Sequence, residues 1–93
     1  MEFEWNPAKS EANRIKHGIG FEEATALWDD AYFEVKEIAR SKDGETRNAT
    51  LGKMGDKIYV AIWTERGNKA RLITVRRARK NEKEIFLKKI QDF

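Results

Sequence analysis

The 93 residues of the chain weigh 10.9 kDa, enough for one domain with one core and too few for two. No cysteine is present, which excludes disulfides, thiolate metal sites and a cysteine nucleophile. Charged residues make up 38% of the chain but nearly cancel to +3, so the pI of about 9.3 points to a polyanion only where the cations cluster.

Apolar residues amount to 40%, yet they include three Trp, five Phe and two Tyr, whose rings bury enough surface to hold a small fold. The opening MEFEWNPAKS is acidic and polar where a signal peptide is basic and then apolar, and no run approaches membrane-spanning length. The expectation is a single cytoplasmic domain, residues 1–93, with no membrane partner.

In chain order, Glu2 and Glu4 alternate with Phe3 and Trp5, as in a short edge strand. Asn6-Pro7 then starts a helix, with asparagine as cap and proline at the first position. Ala8, Ala12, Ile15 and Ile19 fall on one stripe, which predicts the core-facing side, and Gly18 stops the helix. Phe21, Ala24, Leu27 and Trp28 share a face of a second short helix, with Glu22 and Glu23 in its first turn. After Asp29-Asp30 the period becomes two. Turn signals at Asp43-Gly44, Gly55-Asp56 and Gly67-Asn68 divide four strands, about 32–40, 46–53, 57–65 and 69–77, into an antiparallel meander. The segment IYVAIW is apolar on both faces and belongs in mid-sheet. A closing helix follows, with Ile85, Phe86, Ile90 and Phe93 spaced to dock. The fold class is α+β: an antiparallel four-strand meander plus an N-terminal edge strand, two N-terminal helices and a C-terminal helix.

The chain's single histidine, His17, falls almost opposite the apolar stripe of the first helix, at about 100° per residue. Two readings are open: chemistry, or a helix-end charge that with Lys16 offsets the helix dipole. In ARLITVRRARK, strict alternation puts Leu72, Thr74 and Arg76 on one face and Arg71, Ile73, Val75 and Arg77 on the other. Arg47 and Arg66 add guanidiniums suited to bidentate grip of phosphate. Taken singly, such sheet arginines are ordinary solvated charges that also protect edges. Taken together, a lone off-core histidine, several arginines and the absence of any metal-ligand or phosphate-loop motif suit metal-independent RNA cleavage, with no cofactor. In that chemistry the substrate's own 2′-hydroxyl attacks phosphorus, and the protein supplies proton exchange and positive charge.

The stretches FEWNPAK, NRIKHG, FEEA, ETR, RLITVR and EKEIF, in this order, resemble the BrnT family of bacterial toxin-antitoxin ribonucleases from end to end. The resemblance implies a RelE-like fold and a toxin that cleaves RNA. It also implies neutralisation by a cognate BrnA-type antitoxin, in a complex that binds operator DNA through the antitoxin. Carried over by motif, the catalytic set is Lys16, His17, Arg47 and Arg76, and Glu82 and the commonly basic Arg66 join the RNA-binding set, which Arg71 and Arg77 of the cationic strand complete by their charge. Three positions depart from the family pattern: Phe86 where many relatives have Tyr, Gly20 where Ser or Thr caps the second helix, and ARSKDGE, which lacks a histidine frequent in that hairpin. A noncatalytic RNA-binding module, or a surface built mainly for a partner protein, are the alternative readings of the same arginines.

Overall fold

In the computed structural model, which describes residues 1–91, the first alternation becomes β1 (Glu2–Glu4). Asn6 then caps α1 (Pro7–His17), its Oδ1 accepting the Ala8 N–H at 2.9 Å, and Pro7 fills the first turn, where an N–H would lack a partner. Gly18 closes the helix at φ 78°, a left-handed conformation open to glycine, and its N–H donates to the Arg14 carbonyl at 2.8 Å.

α2 (Phe21–Ala24) runs on into a 3₁₀ turn, Thr25–Trp28, and buries Phe21, Ala24 and Leu27 completely. Burial of Phe21 and Leu27 contributes about 1.5–3 kcal/mol each. Gly20 has no side chain with which to cap α2, and Ser10 of α1 supplies the cap instead. The Phe21 N–H donates to Ser10 Oγ at 2.9 Å, and the Gly20 N–H to the Glu23 carboxylate at 3.3 Å.

The rest of the chain forms β2 (Tyr32–Arg40), β3 (Thr46–Met54), β4 (Lys57–Arg66), β5 (Lys69–Arg77) and α3 (Lys80–Gln91). The five strands lie in the order β1-β5-β4-β3-β2, so the doubly apolar β4 is central as expected. The meander is antiparallel, but β1 runs parallel to β5, from Glu2 beside Lys69 to Glu4 beside Arg71, and the sheet is mixed. Among the described residues no helix is long and apolar enough to cross a membrane.

Two cores lie on opposite faces of the sheet. On one, Tyr59, Ala61 and Trp63 of β4 pack with Leu72, Val75, Phe21 and Leu27. Here Gly52 approaches so closely that a Cβ would stand 2.9 Å from the Leu27 carbonyl oxygen. On the other face, Ile58, Val60, Ala49 and Leu51 pack with Phe86 of α3, with Ile90 partly buried against them. Ile85, expected to dock beside them, is instead 46% exposed. Phe93, also expected there, lies outside the described residues.

The predicted apolar stripe of α1 does not face the core. Ala8 and Ala12 are exposed, Ile15 is 74% exposed, and Ile19 is buried only because it lies beyond the helix. The buried residue of α1 is Asn13, at 7% exposure. The physical reason is an open backbone. β1 pairs with β5 only as far as Arg71, and Asn13 serves the Val75 backbone beyond it, accepting its N–H at 3.1 Å and donating to its carbonyl at 2.8 Å. A helix that covers a strand edge needs an amide there, because a buried peptide group without a partner is costly.

Strict alternation also fails along β5. The pairing of β4 with β5 shifts between Ile62 and Trp63, which face Thr74 and Leu72, so Ile73 is bulged out of the ladder. Leu72 and Val75 therefore share a face, and Arg76 lies opposite Leu72 rather than beside it. The expectation that Arg76 and Arg77 point to opposite sides holds.

Candidate active site

Arg47 and Arg76 stand on the α3 face of the sheet. In β3, Arg47 alternates in phase with Ala49 and Leu51, which pack under α3, and it pairs with Thr64 of β4. Thr64 in turn pairs with Arg71 of β5, so Arg47 and Arg71 flank one threonine in a single register row. Arg76 pairs with Val60, four residues from Thr64 along β4, or about 13 Å at roughly 3.3 Å per residue. One nitrogen of the Arg47 guanidinium, Nη1, is buried with no hydrogen-bond partner among the described residues. A buried cationic N–H left unmatched costs more than an ordinary lost hydrogen bond.

Arg76 is already engaged. Its guanidinium forks onto Glu82 of α3, with Nη1 at 2.7 Å and Nη2 at 2.9 Å from the two carboxylate oxygens. Glu82 sits in the first turn of α3 and also accepts the Arg79 N–H at 2.7 Å, the reciprocal half of a capping box. The Arg76 fork first, with the Arg79 N–H adding to it, lowers the Glu82 carboxyl from 4.5 to about 2, and the Arg76 guanidinium is raised in return. A bidentate carboxylate marks the geometry with which the same fork takes a phosphate.

The other sequence-derived residues disperse. His17 ends α1 and is half-buried, not turned away from the body of the protein, because α1 presents its Asn13 side inward and His17 stands one turn further on that side, about 6 Å along the axis. Lys16 beside it is exposed. Neither forms a hydrogen bond or ion pair with Arg47 or Arg76. Arg66 pairs with Glu45 at 2.8 Å, and Arg71 lies 3.8 Å from Glu4. Arg77, on the face away from Arg76, lies over the Tyr59 ring at 5.9 Å. A cavity of about 420 Å³ opens among Glu37, Glu45 and Glu65, but those carboxylates have the wrong sign for a phosphate site.

The description "ribonuclease toxin, BrnT, of type II toxin-antitoxin system" matches residues 5–82, from Trp5 through the Arg76–Glu82 pair. The chain belongs to the BrnT family. No curated protein matches it. BrnT-family membership makes RNA the target and an antitoxin the partner.

For this BrnT-family chain the departures from the family pattern now have structural meanings. Phe86 is 3% exposed and anchors α3 in the second core, so its ring is a packing element and not a group facing substrate. The missing cap at Gly20 is replaced by Ser10. The ARSKDGE hairpin closes on itself, the Ser41 N–H donating to the Glu45 carbonyl at 2.9 Å and Ser41 Oγ bonding the Asp43 carboxylate.

Sequence reasoning missed two residues that hold the BrnT frame. One is Asn13; an asparagine in mid-helix, where it competes with the backbone, was the available signal. The other is Asn48, buried in β3, whose Oδ1 accepts the Glu37 N–H at 2.9 Å. Residues 36–38 bulge from β2 between Val35 and Ala39, and Glu37 takes φ 57° there. Asparagine is depleted from strands, so its place inside one was again the signal.

Proposed function

We propose that the chain is a metal-independent endoribonuclease of RelE-like fold that acts in the cytoplasm and is neutralised by a BrnA-type antitoxin. In this reading the RNA 2′-hydroxyl attacks the adjacent phosphorus, the 5′-oxygen leaves, and a 2′,3′-cyclic phosphate remains. His17 exchanges the proton at one of these oxygens, since imidazole is suited to proton transfer near neutral pH. Arg47 and Arg76 take the charge that builds on the phosphoryl oxygens, where fixed donors are worth most. Lys16 adds positive charge beside His17, while Arg66, Arg71 and Arg77 hold flanking phosphates.

The observation that carries this reading is the Arg76 fork, held bidentate on a carboxylate as it would hold a phosphate, on the same sheet face as Arg47. Glu82 has two parts: it holds the Arg76 fork in plane before RNA arrives, and it yields one of the fork's contacts to phosphate. The toxin–antitoxin complex binds operator DNA through the antitoxin. Expression in a bacterial host tests the whole reading: the wild type arrests growth, and His17→Ala abolishes the arrest while the purified variant keeps its melting temperature. Full toxicity of His17→Ala would remove His17 from the mechanism.

A further inference from the structure

Beside the Arg76–Glu82 pair, α3 leaves part of its sheet face uncovered by the described residues. Ala49, Val60 and Ile62 floor a groove of about 290 Å³, and Val35 and Ile38 of β2 and Ile85 of α3 form its walls. Ile38 is 44% exposed and Ile85 46%. Apolar side chains facing one another across an open groove mark an interaction surface. The rim is cationic on balance: Arg76 and Glu82 line the groove as a pair, Lys89 lies over the Phe33 ring at 5.4 Å, and Arg47 stands beyond the groove, two residues before Ala49 on the same face of β3. The bulge at residues 36–38 interrupts the ladder of β2, which disfavours addition of a further strand at that edge.

We infer that this groove is the docking site of the antitoxin, taking a segment whose apolar side chains fill it and whose carboxylates meet Arg76 and Lys89. The inference rests on the reading of the chain as a toxin with a protein partner. Two features favour protein over RNA as the occupant. Phe33, the one ring in the lining, is partly buried under Lys89 and the exposed walls are aliphatic, whereas single-stranded RNA is held by stacking on open aromatic rings. A cationic rim round an apolar floor is also the complement of an acidic amphipathic segment. Docking there covers Arg76, so inhibition follows from occupancy alone.

The test measures the affinity of the purified cognate antitoxin for wild type, Ile38→Asp, Ile85→Asp and, as a control outside the groove, the exposed Ile15→Asp. Cleavage of total RNA by each protein is followed in parallel. Both groove variants weaken antitoxin binding about tenfold or more, the Ile15 variant does not, and all four cleave RNA alike. Placing the two groove substitutions on different elements, each at an exposed position, guards against a result that only reports misfolding. Antitoxin affinities within about twofold of wild type for both groove variants would overturn the inference. So would RNA binding lost in the groove variants with antitoxin binding intact, or a wild-type dimer that Ile38→Asp dissociates, which assign the groove to RNA or to a second copy. If no protein cleaves RNA, the nuclease reading fails, and the ratio of antitoxin affinities still decides the docking site.

Discussion

Asn13 and Val75 pair as two strand residues would, the side-chain amide of one matching both backbone groups of the other at 3.1 and 2.8 Å. The same amide donates to the Ile19 carbonyl at 2.8 Å and its oxygen lies 3.2 Å from Thr74 Oγ1. One side chain thus ties α1, the chain after it and β5 together. It stands one turn before His17 on the same side of α1.

Replacing Asn13 by Ala leaves the Val75 N–H and carbonyl buried and unmatched. The expected loss is about 2–4 kcal/mol, read from urea denaturation. Asn13→Asp keeps the acceptor for the Val75 N–H but sets a carboxylate against two carbonyls, so it is expected to be no better than Ala. A loss below about 0.5 kcal/mol for Ala would show that the amide is not structural.

The Arg76–Glu82 fork predicts a pH dependence of fixed sign. The Glu82 carboxyl is lowered from 4.5 to about 2 in the folded protein, so the pair's stabilisation is complete above pH 4.5 and is lost as pH falls from there toward 2. With solvent screening its size is about 1 kcal/mol. Thermal melts across this window are expected to fall more steeply for wild type than for Glu82→Gln. Parallel curves would mean that the fork contributes nothing to folding.

Ser10 and Gly20 form a cap split between two helices. Ser10→Ala removes the acceptor for the Phe21 N–H and is expected to cost about 1 kcal/mol. A Cβ on Gly20 would stand 3.4 Å from Ser10 Oγ, so a serine there adds its own hydroxyl at nearly the same place. Gly20→Ser therefore gains little in wild type but restores most of the loss in the Ser10→Ala background. The four melting temperatures form a double-mutant cycle, and additivity within about 0.3 kcal/mol would contradict the shared cap.

The strands, turns and caps were legible because glycine turns and period-two runs report directly on backbone geometry, and the central position of β4 follows from its two apolar faces. Two errors had a common origin. The helical stripe through Ala8 and Ile15 assumes that a helix buries side chains against side chains, whereas α1 lies on an unpaired strand edge and buries Asn13. Alternation through Leu72 and Arg76 assumes an unbroken ladder, and the bulge at Ile73 leaves no mark in the residue pattern. For the candidate site, sequence supplied the residue types and the motif order, and also the separation of Arg76 from Arg77. It did not reveal that Glu82 grips Arg76 or that one nitrogen of Arg47 is unmatched, since these depend on how the elements meet in the fold.

The central claim is that His17 and the arginines of the α3 face together cleave RNA without a metal. Purified protein incubated with total RNA and excess chelator, beside His17→Ala, Arg47→Ala and Arg76→Ala, tests it most directly. Wild type is expected to yield fragments ending in 2′,3′-cyclic phosphate, with the rate reduced about 100-fold or more in His17→Ala and Arg76→Ala. Intact RNA with folded wild-type protein, or undiminished cleavage by His17→Ala, would contradict the account.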